Sequence, residues 1–299
     1  MKVLITGING QLGSQLQKSA LKEYEIIPLK KNQFDLQNKE YCKKVILELR
    51  PDWIINTAAF TAVDKAEIEV SKAFEINAYG VENLAKTCSI YGGRLLQIST
   101  DFVFDGSKRI PYLTNDKCNP LNIYGASKLK GEYLSLNYPG TLVLRTSWLY
   151  GPSGNNFLLK MLNLHENAIK KSKLLKVVND QRGCPTDTIQ LAEICWELIK
   201  KGINANSKNK LFHWSNKGII TWYDFALEIG KYAEEYGLIK KAANIKPVPS
   251  SDYETLAKRP NFSALDCHNT SSFLEIEQIE WTEALKLTLK KIKFRSGKI

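Results

Sequence analysis

The sequence predicts an α/β protein whose first half is a Rossmann-type doubly wound parallel sheet. Three observations support this prediction. Short apolar, β-rich runs alternate with longer helix-like runs in the order βαβαβαβαβ, a glycine-rich turn follows the first run, and hydroxyl-bearing residues follow the fourth. After about residue 150 the alternation loosens, which predicts a second, smaller α/β domain. We therefore expect a first domain over residues 1–150 and a second over residues 151–299, with about 187–215 packing back on the first.

The bounds of the predicted elements follow from the spacing of apolar residues and of turn residues. The strands are predicted at Lys2–Ile5, Glu25–Leu29, Trp53–Asn56, Arg94–Ser99 and Thr141–Arg145. The helices are predicted at Gln11–Leu21, Lys39–Arg50, Val63–Tyr91 and Ile123–Asn137. Since the strands are parallel, their carboxyl ends meet at one edge of the sheet, where ligands bind in folds of this kind.

The composition is that of an ordinary globular protein, with 43% hydrophobic and 24% charged residues. The N-terminal run up to Gly7 is too short for a signal-peptide core, and no apolar run of membrane length follows it. We therefore expect a cytoplasmic protein with no membrane partner. The six cysteines are widely spread and no two have metal-ligand spacing, which predicts reduced thiols and no metal site built on cysteine.

The formal net charge of +11 raises the question of a polyanionic partner. Lysines are scattered through the helix-like segments, and the densest basic run is Lys290–Arg295 near the C-terminus. The sequence has no zinc finger, RNA-recognition signature or basic arm, so we expect no nucleic-acid partner. A positive field of this kind suits phosphorylated small molecules.

A glycine-rich turn, with Gly7, Gly10 and Gly13, lies between the first predicted strand and the first predicted helix. Glycine is needed where the backbone turns tightly or lets a diphosphate approach, and the helix N-terminus offers free amides to that anion. We predict that this turn, together with Gln11 and Leu12, binds the phosphates of a dinucleotide cofactor. The glycine spacing differs from the commonest fingerprint, and a purely structural turn is the alternative.

The end of the second predicted strand indicates which dinucleotide is bound. Many such folds carry an acidic side chain there, which accepts hydrogen bonds from the adenosine ribose. This chain carries Lys30 and Lys31 instead, and a cation favours a 2′-phosphate, so NADPH is the predicted cofactor and NADH the less favoured one. Two solvated lysines are the alternative interpretation. Further cofactor contacts are predicted for Asp35, Leu36, Ala58 and Ala59.

Tyr124 and Lys128 lie four residues apart on one predicted helix and therefore share a face. The ammonium group can stabilise a tyrosinate, and added positive charge is needed because free tyrosine has a pKa near ~10. Thr100, at the end of the fourth strand, is predicted to donate to the same substrate carbonyl that Tyr124 protonates. The spacing recurs by chance at Tyr236, so an exposed helical pair, and a strand-end cap for Thr100, are the alternatives.

Other segments, taken with the glycine turn, resemble the dTDP-4-dehydrorhamnose reductase family of the extended short-chain dehydrogenase/reductases. The likeness runs through most of the chain and is far more specific than the glycine motif alone. The segments that carry it are Thr61–Glu67, Ser99–Asp101, Pro120–Lys128, Arg145–Tyr150, Gly154–Phe157, Asn179–Thr186 and Arg259–Pro260.

The resemblance implies NADPH-dependent reduction of the 4-keto group of a dTDP-linked 6-deoxyhexulose, giving dTDP-L-rhamnose. It implies that Tyr124 donates the proton, that Lys128 holds the cofactor ribose and lowers the pKa of the tyrosine, and that Thr100 orients the ketone. The nucleotide-sugar site that it implies comprises Thr100, Asp101, Val103, Trp148, Asn155, Asn156, Phe157, Gln181 and Arg259.

Some of these side chains have a second interpretation from the residues themselves. Arg259 offers a rigid fork of donors that suits a diphosphate, but it also suits an ion pair within the protein. Trp148 and Trp222 are expected either to stack on the sugar or base or to belong to the core. His213, within an apolar run, is predicted to be a satisfied residue on a buried strand.

The chain departs from the family pattern at three positions. Phe102 stands where the family usually has tyrosine, which removes one hydrogen bond near the cofactor or substrate. Some members form dimers bridged by a divalent metal, but the corresponding positions here are Gln15 and Ile189, which are poor ligands for a hard cation. We therefore predict no metal site, and either a monomer or a homodimer.

Two other function classes remain open on the sequence. A nucleotide-sugar epimerase or dehydratase uses the same fold and the same tyrosine–lysine pair, but such dehydratases usually have an acidic pair after the threonine. Here Asp101 is followed by Phe102, so that pair is incomplete. A non-catalytic, nucleotide-binding regulatory subunit is the second class, and the retained Thr100, Tyr124 and Lys128 argue against it.

Overall fold

Five strands from the first half of the chain and one from the second form a six-stranded parallel sheet. Across the sheet their order is Leu211–His213, Thr141–Thr146, Arg94–Thr100, Trp53–Asn56, Lys2–Thr6 and Glu25–Leu29. The computed structural model describes residues 1–202 and 209–295. The sheet strands are β1 Lys2–Thr6, β2 Glu25–Leu29, β3 Trp53–Asn56, β4 Arg94–Thr100, β5 Thr141–Thr146 and β10 Leu211–His213. The five predicted strands are therefore confirmed, with β1, β4 and β5 each one residue longer than predicted.

The remaining strands are short and pair in twos. They are β6 Leu149–Tyr150, β7 Leu175–Val178, β8 Arg182–Gly183, β9 Thr186–Asp187, β11 Ile220–Thr221 and β12 Ile245–Val248. β6 pairs with β9 and β7 with β12 in parallel, whereas β8 and β11 are antiparallel. These short strands lie in the segments between the helices of the second half of the chain.

Helices cover both faces of the large sheet. They are α1 Gln11–Ser19, α2 Lys39–Leu49, α3 Val63–Ala66, α4 Val70–Phe74, α5 Gly80–Tyr91, α6 Ile123–Leu136, α7 Phe157–Lys170, α8 Thr188–Lys201, α9 Trp222–Glu235, α10 His268–Leu274 and α11 Trp281–Arg295. Alternate residues of β1 enter different cores: Val3 and Ile5 pack with α1 and α8, and Leu4 packs with α2 and α5. The doubly wound α/β fold is confirmed.

A separate apolar cluster lies in the second half of the chain, between α7, α9 and α11. The segment predicted at about 187–215 contributes α8, which packs along α1, and β10, which extends the large sheet beside β5. Trp196 on α8 donates to the hydroxyl of Ser19 on α1 at 3.0 Å. Residues 203–208 of this segment lie outside the described residues.

The predicted single helix over Val63–Tyr91 is wrong in detail, because the helix is broken at residues 67–69 and its second part contains a π-helical turn. The run is interrupted after α3, and between α4 and α5 it widens into a π-helical turn over Glu75–Tyr79. Within that turn, the side-chain amide of Asn77 accepts from Phe60 N at 2.8 Å and donates to Phe60 O at 3.0 Å. These contacts to a neighbouring loop accompany the wider turn, and apolar spacing alone does not reveal them.

A buried ion pair joins α6 to the sheet. The guanidinium of Arg145 on β5 donates to both carboxylate oxygens of Glu132 on α6, at 2.6 to 3.1 Å, and the two side chains are 3% and 1% exposed. Ser99 on β4 also donates to this carboxylate. His213 on β10 contacts Arg145 from the other side, and its strand is buried, as predicted. Burial and the adjacent Arg145 lower the pKa of His213 to about 3, so its ring is neutral.

Among residues 1–202 and 209–295, no helix is long and apolar enough to cross a membrane.

Replacing Glu132 with glutamine is expected to lower the free energy of unfolding by about 3–5 kcal/mol, because Arg145 would keep a buried charge without its counterion. Urea unfolding followed by circular dichroism measures this change. The control is Glu48→Gln, which removes an exposed pair with Lys44 on α2 and should cost at most about 0.5 kcal/mol. Equal effects of the two substitutions would show that the buried pair is not an anchor.

Candidate active site

The glycine turn forms a tight cradle at the start of α1. Gly7 has a φ of +67°, and a Cβ there would lie 2.8 Å from Ala58 N, so the position requires glycine. A Cβ on Gly13 would overlap the carbonyl of Gly7. The N-cap residue, Gly10, offers no side chain to the first amides of α1, and the first turn has no acidic residue. These free amides and the positive end of the helix dipole fit a diphosphate.

A chain of hydrogen-bonded amide and hydroxyl groups joins the carboxyl ends of β1 and β3 to the middle of β4, beside this cradle. Thr6 donates to Asn56 at 2.5 Å, and Asn56 donates to Gln97 at 2.6 Å. Thr57 donates to the carbonyl of Thr6 at 2.7 Å. Because these strand ends are cross-linked, the half-buried Ala58 and Ala59 that follow β3 are held against the glycine turn.

The other predicted cofactor residues lie around the edge of the cradle. Lys30 directly follows β2 and is exposed, and Asp35 is half-buried. Leu12 and Leu36 are each 3% exposed and belong to the apolar cores. The side chains of Leu12 and Leu36 therefore point into the cores, and only the backbone of these two residues can contact a cofactor.

Thr100 and Asp101 stand at the carboxyl end of β4, where a short 3-10 turn begins. The Thr100 hydroxyl donates to Asp101 Oδ1 at 3.1 Å and accepts from Phe102 N at 3.2 Å. Asp101 is 2% exposed, and its Oδ2 has no hydrogen-bond partner among the described residues. Burial raises the pKa of Asp101 to about 7, against the side chains of Ser263 and Thr100, which lower it.

Tyr124 and Lys128 both lie on α6, as predicted, and Tyr124 is within hydrogen-bonding reach of Thr100. The expected lowering of the tyrosine pKa is not found in the protein alone. Burial raises the pKa of Tyr124 to about 12, and the nearby Thr100 hydroxyl lowers it only in part. Lys128 is 4% exposed and donates to the carbonyl of Ile98 at 2.6 Å. Burial lowers the pKa of Lys128 to about 8, against the carboxylate of Glu132, which raises it.

Hydrogen bonds of Asn122 and close backbone contacts at two glycines place α6 over the end of β4. The N-cap residue Asn122 accepts from Gly125 N at 2.8 Å and donates to the carbonyl of Lys258 at 2.8 Å. A Cβ on Gly125 would overlap the carbonyl oxygen of Phe102, and one on Gly131 would overlap that of Asn77. The helix therefore lies directly on backbone at both glycines, which fixes Tyr124 opposite Thr100.

Three aromatic side chains pack together just beyond the carboxyl end of β5, the strand beside β4. Trp148 follows β5, whose last residue, Thr146, is in register with Thr100. The indole of Trp148 stacks on that of Trp222, with ring centroids 3.6 Å apart and an angle of 6° between the planes. The ring of Phe157 lies against Trp222, with centroids 4.6 Å apart. Trp148 has a φ of +45°, a strained conformation for a large residue. Both indoles are half-buried, so the pair is neither fully in the core nor free in solvent.

The loop at Gly154–Asn156 lies over the glycine cradle. Asn156 Nδ2 donates to Gln11 Oε1 at 2.9 Å, and Gln11 Nε2 donates to Asn155 O at 3.2 Å. Asn156 also caps α7 by accepting from Leu159 N at 3.0 Å. The structure thus joins predicted cofactor and substrate residues, and it shows that the Asn156 side chain already has a structural role.

Arg259 forms an ion pair with Asp64 at 2.7 Å, and it also donates to the carbonyl of Ala257 at 3.1 Å. The ion-pair interpretation of Arg259 therefore holds in this structure, although a quarter of the side chain is exposed. Val103 is fully buried in the main core, so only its backbone can contact a substrate. Gln181 is half-buried in the loop between β7 and β8.

Sequence reasoning missed several residues that hold the site together. Asn122 had a usable signal, because asparagine directly before a helix is a common N-cap. Glu132 also had one, since it lies four residues after Lys128 and so shares its face. Ser263, which faces Asp101, had none, because only the fold brings these distant residues together.

Comparisons with known proteins agree with this architecture. The family model described as RmlD substrate binding domain matches residues 1–294. The dTDP-4-dehydrorhamnose reductase of Aggregatibacter actinomycetemcomitans is 38% identical, over 95% of this chain and 97% of the relative. The structure of a dTDP-4-dehydrorhamnose reductase from Clostridium acetobutylicum superposes with a TM-score of 0.88 at 38% identity, covering 98% of this chain and 100% of that one. The Bacillus anthracis dTDP-4-dehydrorhamnose reductase in complex with NADP has a TM-score of 0.88 at 36% identity, covering 97% and 99%.

Replacing Gly125 with alanine is expected to cost about 1–3 kcal/mol of stability, because the new methyl group would overlap backbone at Phe102. Thermal unfolding measures the loss. Lys130→Ala, at an exposed position of the same helix, is the control and should stay within about 0.5 kcal/mol of wild type. An unchanged midpoint for the Gly125 variant would contradict the close seating of α6.

Proposed function

The chain belongs to the RmlD substrate binding domain family, and from this premise we propose that it reduces the 4-keto group of dTDP-4-dehydrorhamnose with NADPH. The single observation that carries the proposal is the placement of Tyr124 within reach of Thr100, beside a glycine cradle that fits a diphosphate. The substrate and the cofactor are those that the names of the relatives give.

The residues of the first half supply the groups that a dinucleotide requires. The free amides at the start of α1 suit its diphosphate, and the exposed Lys30 suits a 2′-phosphate. Lys128 uses one N–H on Ile98 O, which leaves two N–H groups for the hydroxyls of a ribose. When bound, NADPH supplies the hydride for the reduction. We place cofactor binding mainly in residues 1–150 and sugar binding mainly in residues 151–299.

Tyr124 is the proton donor in this proposal. Its raised pKa, about 12, keeps the phenol protonated at neutral pH, which is the form a reductase needs at the start of the reaction. The proton passes from Tyr124 Oη to the ketone oxygen, and Thr100 donates a hydrogen bond to that oxygen. Lys128 then opposes the negative charge left on the tyrosine, because a cation nearby favours the ionised form.

Reduction fits the residues better than epimerisation or dehydration. A dehydratase needs a second acid–base group beside the threonine, but Phe102 follows Asp101 and packs edge-on against the Tyr124 ring at 5.7 Å. The stacked Trp148 and Trp222 offer an apolar wall of the kind that binds a sugar ring or base. Arg259 is the proposed diphosphate ligand, and its release from Asp64 or a shared contact would be required.

We propose a cytoplasmic enzyme, because all six cysteines are free and burial raises the pKa of each thiol above its ordinary value. Free, inert thiols are usual where the compartment is reducing. Monomer or homodimer stays a prediction, which sedimentation with and without a chelator tests.

The proposal is tested by following NADPH oxidation with dTDP-, UDP-, GDP- and CDP-linked 4-keto-6-deoxyhexoses. We expect turnover with the dTDP sugar, and Tyr124→Phe should lower kcat by roughly 10² or more while leaving cofactor affinity nearly intact. The control is Tyr236→Phe, which alters the other tyrosine that has a lysine four residues later and lies at the end of α9. No NADPH oxidation with any of the four sugars would refute the proposal.

Lys30→Asp is expected to lower the ratio of kcat/KM for NADPH over NADH by about 10–100-fold, since a hydrogen bond to a charged group is worth about 1.5–3 kcal/mol. The matched control is Lys43→Asp on α2, which changes the net charge equally at a distant exposed position. If both variants keep the wild-type ratio, Lys30 does not recognise the 2′-phosphate.

A further inference from the structure

Asp101 is a buried carboxyl group that the mechanism above does not use. It lies next to Thr100, yet its own oxygens are withdrawn from the surface. Oδ1 accepts from Thr100, the Ser263 hydroxyl faces the carboxyl group, and Oδ2 has no hydrogen bond of normal geometry among the described residues. A buried carboxylate with an unpartnered oxygen is costly, whereas a neutral carboxyl group in the same place costs much less. The position therefore favours the protonated acid.

The hydroxyl of Thr100 has a single hydrogen, and this limits what it can do. When Asp101 is ionised, the carboxylate can only accept, so the Thr100 hydrogen is held by Oδ1 at 3.1 Å. One lone pair of the hydroxyl is occupied by Phe102 N. In that state Thr100 has no hydrogen to offer to a ketone oxygen or to Tyr124.

We propose that Asp101 is a positioning residue that must be protonated, so that its O–H donates to Thr100 and the Thr100 hydrogen turns toward the substrate ketone. The inference rests on the proposed function. It assigns Asp101 a role through Thr100 rather than a direct substrate contact. No proton is consumed in this exchange, because Asp101 keeps its proton on the oxygen that faces Thr100 while Tyr124 supplies the one that is transferred.

The groups that face Asp101 do not titrate in the same range. Tyr124 faces it from α6, and burial raises the pKa of that phenol to about 12. Cys184 faces it from the turn between β8 and β9, and burial raises the pKa of that thiol to about 11. Ser263 brings a hydroxyl but no charge. Asp101 is therefore the group in this cluster that changes charge near neutral pH.

The pH dependence of kcat/KM follows from this arrangement. Activity should be full while Asp101 is protonated and should fall roughly tenfold per pH unit once it ionises, so the loss occurs as pH rises through the pKa of Asp101, near 7. Lys128, with a pKa of about 8, gives a further loss at higher pH. Substituting Asp101 separates the two losses of activity, because the loss due to Asp101 then disappears and the loss due to Lys128 remains.

The test compares the pH profiles of wild type and Asp101→Asn, measured by NADPH oxidation with the dTDP sugar. The amide can donate to Thr100 at every pH, so the loss near neutral pH should disappear, and the ratio of variant to wild-type kcat/KM should rise about tenfold between pH 6 and pH 8. Removing a negative charge beside Tyr124 would by itself lower the pKa of the phenol and move the loss to lower pH. The two explanations therefore predict opposite shifts.

The matched control is Asp187→Asn, because Asp187 is also 2% exposed, and burial raises its pKa too. It caps α8, and asparagine caps a helix about as well as aspartate, so this variant should fold and keep the wild-type pH profile. If the Asp101 variant does not fold, difference infrared spectroscopy of the wild type still tests the idea. A carboxylic-acid band that titrates between pH 6 and pH 8 and that persists in Asp187→Asn and Glu193→Gln supports it.

Three outcomes would overturn the inference while leaving the reductase activity in place. These are a loss that moves to lower pH in Asp101→Asn, a profile that keeps its shape at lower activity, and no titrating acid band in the wild type. Absence of NADPH oxidation at every pH would instead reject the proposed function, so the two failures are distinguishable.

Discussion

Helix α6 lies so close to the end of β4 that no side chain fits between them at Gly125, and the same is true against the Asn77 turn at Gly131. The positions of Tyr124 and Lys128 depend on this seating. A helix held by side chains alone could shift by rotamer changes, but one that rests on backbone at two points has a fixed height and rotation. The Tyr124–Lys128 pair is therefore placed by the two glycines that let α6 rest on backbone, as much as by any hydrogen bond.

The buried ionisable side chains around α6 are of two kinds, those that form an ion pair and those that do not. Glu132 and Arg145 form a buried ion pair in which the guanidinium donates to both carboxylate oxygens. Asp101 and Lys128 lack such a pair, and burial moves the pKa of each toward neutrality, to about 7 and about 8. The paired charges anchor the helix, and the unpaired Asp101 and Lys128 lie beside Thr100 and Tyr124, where the proposed reaction transfers its proton.

The sequence was sufficient for the elements whose signal is local. The five strands, the glycine turn and the shared helix of Tyr124 and Lys128 follow from periodicity and turn chemistry, and the structure agrees. The pKa of Tyr124 was not predictable, because burial outweighs its neighbours and burial depends on the whole fold. The same holds for the Arg259–Asp64 pair, whose members are far apart in the chain. Local patterns predict what a segment forms, but the partner of a side chain depends on tertiary packing.

The two halves of the chain are joined by hydrogen bonds from side chains that also cap helices. Asn122 caps α6 and also donates to Lys258 O, and Asn156 caps α7 and also donates to Gln11. A residue that caps a helix has a fixed position, so its second hydrogen bond transmits that position to the neighbouring half. Trp148 also links the two halves, since it follows β5 and its indole stacks on that of Trp222, which begins α9. The site is thus aligned by bonds that link helix ends across the two halves, rather than by the loops that line it.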